Sequence, residues 1–156
     1  MNIRVVYHSG YKGNTMKVAT VIAETLNIIA ERIGKEKIVF SEPVDLLFIG
    51  SGVYFDKPHK KAMALIKKLD PSTVKNAAAF GTYGNQSEIG EKIKKLLQEQ
   101  GINVIDELFV CKGASVGTDN KGRPNATDLE NAKAFTESTA AKILACCDTL
   151  SRQSHS

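Results

Sequence analysis

Apolar strand-like runs alternate with amphipathic helical patterns along all 156 residues, which predicts a doubly wound α/β domain built on a parallel sheet. Two further observations support that class. The spacings between runs suit crossover helices rather than tight hairpins. The carboxyl ends of the strands carry glycines with hydroxyl or aromatic residues, and ligands of open α/β sheets bind at that edge.

The elements follow in order. Ile3–Tyr7 reads as the first strand, and Val18, Ala19, Ile22, Ala23 and Leu26 share one face of a helix beginning near Thr15. The second strand has two candidates. Lys37–Phe40 would leave only residues 41–44 before the next strand, too few for a parallel crossover. Asn27–Glu31 leaves residues 32–44 for a shortened or irregular helix, and is preferred. Leu46–Ile49, closed by Gly50, is a buried strand. Ala62, Leu65, Ile66 and Leu69 mark a helix stopped by Asp70-Pro71, and Asn76–Thr82 is the next strand. Ile89, Ile93, Leu96 and Leu97 mark a helix capped by Gly101, and Val104–Val110 is the last strand. Leu129, Ala132, Thr136, Ile143, Leu144 and Cys147 mark a C-terminal helix, with Thr127 expected as its N-cap and Glu130 completing a capping box. A single domain over residues 1–150 with a disordered tail, Ser151–Ser156, is expected.

The segment Tyr7-His8-Ser9-Gly10-Tyr11-Lys12-Gly13-Asn14-Thr15 joins a strand to a helix through a Gly- and hydroxyl-rich turn. Its amides and the helix N-terminus make an anion cradle. The segment lacks the lysine of a P-loop after Gly13 and the third glycine of a dinucleotide fingerprint. The segment itself holds neither a Cys nor an Arg, so it is not a C-x5-R phosphatase loop. An ordinary βα turn with an N-cap is the alternative reading of the loop.

Three more loops fall at the same edge: Gly50–Asp56, Phe80–Asn85 and Cys111-Lys112-Gly113. The Gly13-Asn14-Thr15 ending resembles the T/S-x-T-G-N-T phosphate loop of flavodoxins. Gly50–Asp56 resembles their flavin-packing loop, and Phe80–Asn85 the F-G-S-Y-G-W loop of clostridial-type members. Gly122–Ala132 looks like the G-x-P-x-x-x-D-L-E-x-A opening of their last helix. The resemblance covers essentially the whole chain. It implies a flavodoxin-like doubly wound sheet of five parallel strands in the order 2-1-3-4-5, helices on both faces, and FMN as cofactor.

Carried over by position, the resemblance implies that Ser9, Gly10, Tyr11, Lys12, Gly13, Asn14 and Thr15 bind the FMN phosphate, Ser9 and Thr15 through hydroxyls. Ser51, Gly52, Tyr54 and Phe55 would contact the flavin, with Tyr54 packed on the ring. Thr82, Tyr83, Gly84 and Asn85 would line its other side or its pyrimidine edge, with Cys111, Lys112 and Gly113 beside them. No catalytic residue and no metal site is expected. His8 lies close by, either as a strand-end packing residue or as a proton-transfer group. Lys12 stands either beside the phosphate as a counter-charge or in solvent.

Three departures from the family pattern bear on function. Phe55 stands where many flavodoxins carry a glycine whose peptide turns over on reduction, and a bulky residue at φ > 0 is costly. Stabilisation of half-reduced flavin by that route is therefore questioned. Asn85 replaces the clostridial Trp, and the chain has no Trp at all. The net charge is +4, whereas electron-carrying flavodoxins are usually acidic, so the partner surface must differ.

The charge excess is spread over helix-like segments without a nucleic-acid motif, and no apolar run is long enough to span a membrane. Cys111, Cys146 and Cys147 form no disulfide framework, and with no signal-peptide pattern at the start they indicate a reducing cytoplasm. The expected activity is electron transfer with a redox partner protein, by a monomer or weak dimer. An FMN-dependent NAD(P)H or quinone-type reductase is the alternative, and a flavin-free binding module the third reading.

Overall fold

The computed structural model describes residues 1–34, 37–115 and 120–154, the last eight by backbone alone. The elements are β1 (Ile3–Tyr7), α1 (Asn14–Thr25), β2 (Ala30–Arg32), β3 (Val44–Ser51), α2 (Lys60–Lys67), β4 (Val74–Tyr83), α3 (Ile89–Glu99), β5 (Asn103–Val104), β6 (Phe109–Lys112) and α4 (Ala126–Ser154). Every strand pairing is parallel. The sheet runs β2-β1-β3-β4, and β5 and β6 both pair with β4 at the far edge. This is the expected doubly wound order, with the fifth strand position filled by two short strands.

Both faces of the sheet are covered, so its central strands are apolar without alternation. On β3, Leu46 and Phe48 pack toward α1 and α4, with Val18, Ala19, Ile22, Ala132 and Phe135. Leu47 and Ile49 point the other way, onto Ala62, Ile66, Ile89, Ile93 and Leu97 of α2 and α3. These side chains are essentially fully buried, and each Leu, Ile or Phe so placed is worth about 1.5–3 kcal/mol.

The structure corrects four details of the sequence reading. The second strand does follow α1 directly, but Asn27 takes φ +60° in the turn and the strand itself is Ala30–Arg32. The described residues of the next crossover, 33, 34 and 37–43, carry no helix. The last helix is capped by Asn125 rather than Thr127. Asn125 Oδ1 accepts the Asp128 N–H (2.9 Å) and Asp128 Oδ2 accepts the Asn125 N–H (2.8 Å). Arg123 adds two hydrogen bonds to the same carboxylate. Helix α4 runs through Ser154, so helical backbone takes in four residues of the expected tail; residues 155 and 156 lie outside the described residues. No described helix is long and apolar enough to cross a membrane.

Candidate functional site

The loop after β1 is folded by its own hydrogen bonds. The Gly13 N–H donates to Gly10 O (3.0 Å), and Gly13 takes φ +73°, which glycine adopts without penalty. Ser9 is buried, and its Oγ accepts the Met16 N–H (3.2 Å), capping α1 from seven residues away. The amides of Asn14 and Thr15 open the helix and have no intrahelical acceptor. Thr15 Oγ1 meets Thr82 Oγ1 at 2.7 Å in a buried pair that ties this loop to the end of β4.

The loop after β6 closes the other side. Lys12 Nζ donates to Ser115 O (2.8 Å) and Asn14 Nδ2 to Ala114 O (2.7 Å). Lys12 is exposed, and its ammonium ties the two loops together. Asn14 Oδ1 is buried and has no hydrogen-bond partner, an acceptor waiting for a donor. Gly113 passes so close that a Cβ there would lie 2.7–2.9 Å from the Asn14 side chain.

Together these loops enclose a cavity of about 280 Å³ at the carboxyl edge of the sheet. Of the expected residues, Ser9, Gly10, Tyr11, Lys12, Gly13, Asn14, Thr15, Gly52, Tyr54, Thr82, Tyr83, Gly84 and Gly113 line it. Five do not. Ser51 is fully buried, its hydroxyl donating to Gly52 O and accepting the His59 N–H, so it anchors the loop instead of facing the cavity. Cys111 points into the core beside Phe109 and Phe135, and burial pushes its thiol up to about 12. Asn85 and Lys112 line an adjoining depression with Tyr83, Gly84, Ser87, Ser115 and Asn120. Phe55 is 97% exposed at the tip of its loop. Val53, Ala114 and Ser115 line the cavity without having been foreseen. Val53 could have been read from its place between Gly52 and Tyr54; Ala114 and Ser115 simply continue the Gly113 loop.

The Phe55 loop is a two-residue hairpin. Tyr54 N–H donates to Lys57 O (2.7 Å) and Lys57 N–H to Tyr54 O (3.2 Å), with Phe55 and Asp56 at φ +52° and +68°. Two left-handed central residues are the signature of a type I′ turn, which favours Asn-Gly. Phe55 therefore does adopt the costly conformation. The turn aims Tyr54 at the phosphate loop, where a Cβ on Gly10 would lie 3.1 Å from the Tyr54 hydroxyl.

Behind Tyr54 lies an aromatic stack. His8 and His59 are face to face, ring centroids 3.6 Å apart, and Tyr54 meets both edge-on at 5.3 and 4.8 Å. Burial, then His59, Arg32 and Lys61, lower the His8 pKa to about 4, so the ring is neutral at pH 7. Burial, then Lys61 and Lys60, lower that of His59, and burial raises that of Tyr54. Among the described residues no Asp or Glu lines the cavity. The site is thus an amide-rich cradle with one aromatic wall.

The sheet order, the crossovers and four loops at one edge define a flavodoxin-like fold. No family model matches the chain. It is 33% identical over 148 residues to Uncharacterized protein MJ0298 of Methanocaldococcus jannaschii, covering 88% of this chain and 97% of that protein. Among solved structures it is similar to a flavodoxin from the domain Archaea (21% identity, TM-score 0.66, 90% of this chain and 98% of that one). It is also similar to oxidised Flavodoxin 2 from Bacillus cereus (18% identity, TM-score 0.69, 91% and 99%). A flavodiiron protein from Giardia intestinalis aligns with 95% of this chain over 37% of its own length (15% identity, TM-score 0.76). The chain belongs to the family of MJ0298.

Proposed function

We propose that the protein binds FMN in this cavity and passes electrons to and from a redox partner protein. The observation that carries the reading is the Ser9–Thr15 cradle. Helix-opening amides and a lining with no Asp or Glu among the described residues surround one cavity walled by Tyr54, and the unpartnered Asn14 Oδ1 suits a hydroxyl or N–H donor of the flavin. Residues 9–15 would hold the phosphate. Val53, Tyr54, Tyr83, Gly84 and the Gly113–Ser115 segment would hold the ring and keep water from it. Bound flavin supplies the redox chemistry, and the protein supplies position and field. A net charge of +4 favours an acidic partner. Free Cys111 and Cys146 fit a reducing compartment such as the cytoplasm. Visible absorption of the purified protein, oxidised and half-reduced, is the test: a colourless protein that takes up no FMN on titration sinks the reading.

One observation favours a reductase as second reading. The adjoining depression around Asn85, Ser87 and Lys112 shares Tyr83, Gly84 and Ser115 with the cavity, leaving room for a small acceptor beside the ring. Turnover of NAD(P)H with a quinone by the flavin-loaded protein would select it, and its absence would leave the carrier.

A further inference from the structure

A second cavity, of about 320 Å³, lies at the ends of β1 and β2 and the first turn of α2, lined by His8, Arg32, Ile33, Gly34 and Lys61. It shares no lining residue with the first cavity. The His8 ring, whose edge contact with Tyr54 is 5.3 Å between centroids, links the two. Among the described residues its polar lining is entirely basic or imidazole. Arg32 spends one nitrogen, Nη2, on Ser9 O (2.8 Å), and among the described residues no carboxylate pairs with Arg32 or Lys61. Lys61 reaches across the floor, where a Cβ on Gly34 would lie 3.4 Å from its Cδ and Nζ. His8 Nδ1 is buried and has no hydrogen-bond partner.

Two cations and an imidazole ring therefore border one opening, and among the described residues no carboxylate balances them. Like charges held together cost free energy, and a buried polar atom without a partner costs more. Burial lowers the His8 pKa most and His59 next, and Arg32 and Lys61 add to the same shift. We propose that this cavity binds the phosphoryl group of a small molecule, at a site separate from the flavin cradle. A phosphoryl group carries close to two negative charges near neutral pH and three acceptor oxygens. It matches the two cations in charge, and its oxygens suit the Arg32 guanidinium and the Lys61 ammonium. A carboxylate would leave one cation uncompensated.

The experiment is an NMR titration of the full chain, with FMN added beforehand so that the first cavity is filled. Inorganic phosphate and adenosine 5′-monophosphate are titrated separately, at constant ionic strength. Saturable shifts at the His8 imidazole and the Ile33 and Gly34 amides are expected, and the tighter arm tells free phosphate from a nucleotide source. In Lys61→Gln, which removes one charge from an exposed side chain, binding should weaken about tenfold or more. Shifts confined to the amides of Gly10–Thr15 would assign the anion to the first cavity and overturn the proposal. So would an absence of shifts, or a Lys61→Gln protein that binds as well as the parent. Sulfate displacing phosphate with equal affinity would reduce the site to a generic positive patch and overturn the phosphoryl assignment. If the protein takes up no FMN, the same two groups of amides still separate the sites, so failure of the flavin reading is read independently.

Discussion

Replacing Phe55 by glycine separates backbone strain from side-chain packing at the edge of the flavin cavity. Phe55 sits at φ +52° with its side chain 97% exposed. The left-handed region costs an L-residue about 1–2 kcal/mol, which glycine does not incur. Glycine loses about 0.5–1 kcal/mol more backbone freedom on folding. The ring contributes almost no burial to subtract. Phe55→Gly should therefore stabilise the flavin-free protein by about 0.5–1 kcal/mol. Phe55→Ala keeps the strained φ and loses only an exposed ring, so it should change stability by less than about 0.5 kcal/mol. Urea denaturation of the three proteins measures both differences. FMN titration should give affinities within about threefold of one another, because the ring points away from the cavity lining. Destabilisation by Phe55→Ala beyond about 1 kcal/mol, with a matching loss of FMN affinity, would mean that the ring packs on the site and that the exposed-tip argument is wrong.

Other perturbations test other parts of the structure. Gly50→Ala places a Cβ 2.2–2.6 Å from three atoms of the fully buried Phe80 ring and should cost about 1–3 kcal/mol in urea unfolding; a neutral result would refute the close approach. Thr82→Val strands the buried Thr15 hydroxyl and should cost about 1–3 kcal/mol, while adding Thr15→Val should recover part of it; strict additivity in that double-mutant cycle would deny the hydrogen bond. Gly113→Ala must push the Asn14 side chain from its place and should lower FMN affinity about tenfold with a smaller effect on stability, read by fluorescence titration. The His8 pKa is near 4 folded against 6.5 unfolded, so the unfolded chain binds more protons between those values and stability falls as pH drops through that window. Allowing for solvent screening of a half-exposed ring, the loss is about 1–2 kcal/mol, and His8→Gln should flatten that part of the pH profile; an unchanged slope would rule His8 out as its source.

The sheet was legible because its central strands are buried on both faces and leave unbroken apolar runs. Its far edge was not. Val104–Val110 reads as one strand, yet the pairing with β4 shifts by two residues between Asn76↔Asn103 and Phe80↔Phe109. Asp106 and Glu107 occupy the break and pair outward with Lys94 and Lys142. Two adjacent acids inside an apolar run were the available signal, since neither can face a covered sheet. The cap of α4 was missed for another reason. Thr127 with Glu130 and Asn125 with Asp128 have the same capping-box spacing, and only the tertiary contact of Asp128 with Arg123 selects the second.

The same distinction divides the site. Backbone-built parts depend on glycines and hydroxyls at fixed offsets, so the cradle from Ser9 to Thr15 was readable. The parts decided by which way a side chain turns were not. Phe109 and Cys111 alternate inward along β6, so period-2 reasoning puts the thiol in the core and not on the loop after it. Ser51 ends β3 with its hydroxyl held by the His59 amide, a contact across eight residues that no local pattern announces. The Ser51–His59 contact fixes where His59 stands, and His59 in turn stacks on His8 behind Tyr54. The position of the aromatic wall is therefore set from the base of α2, on the side facing the basic cavity. Lys61 reaches the flavin wall through the two imidazoles, whereas Arg32 also holds the phosphate loop at Ser9 O. Perturbations of the two cavities should for that reason differ in what they move: changes at Lys61 should alter the spectrum of bound flavin more than its affinity, and changes at Gly113 or Asn14 the affinity more than the spectrum.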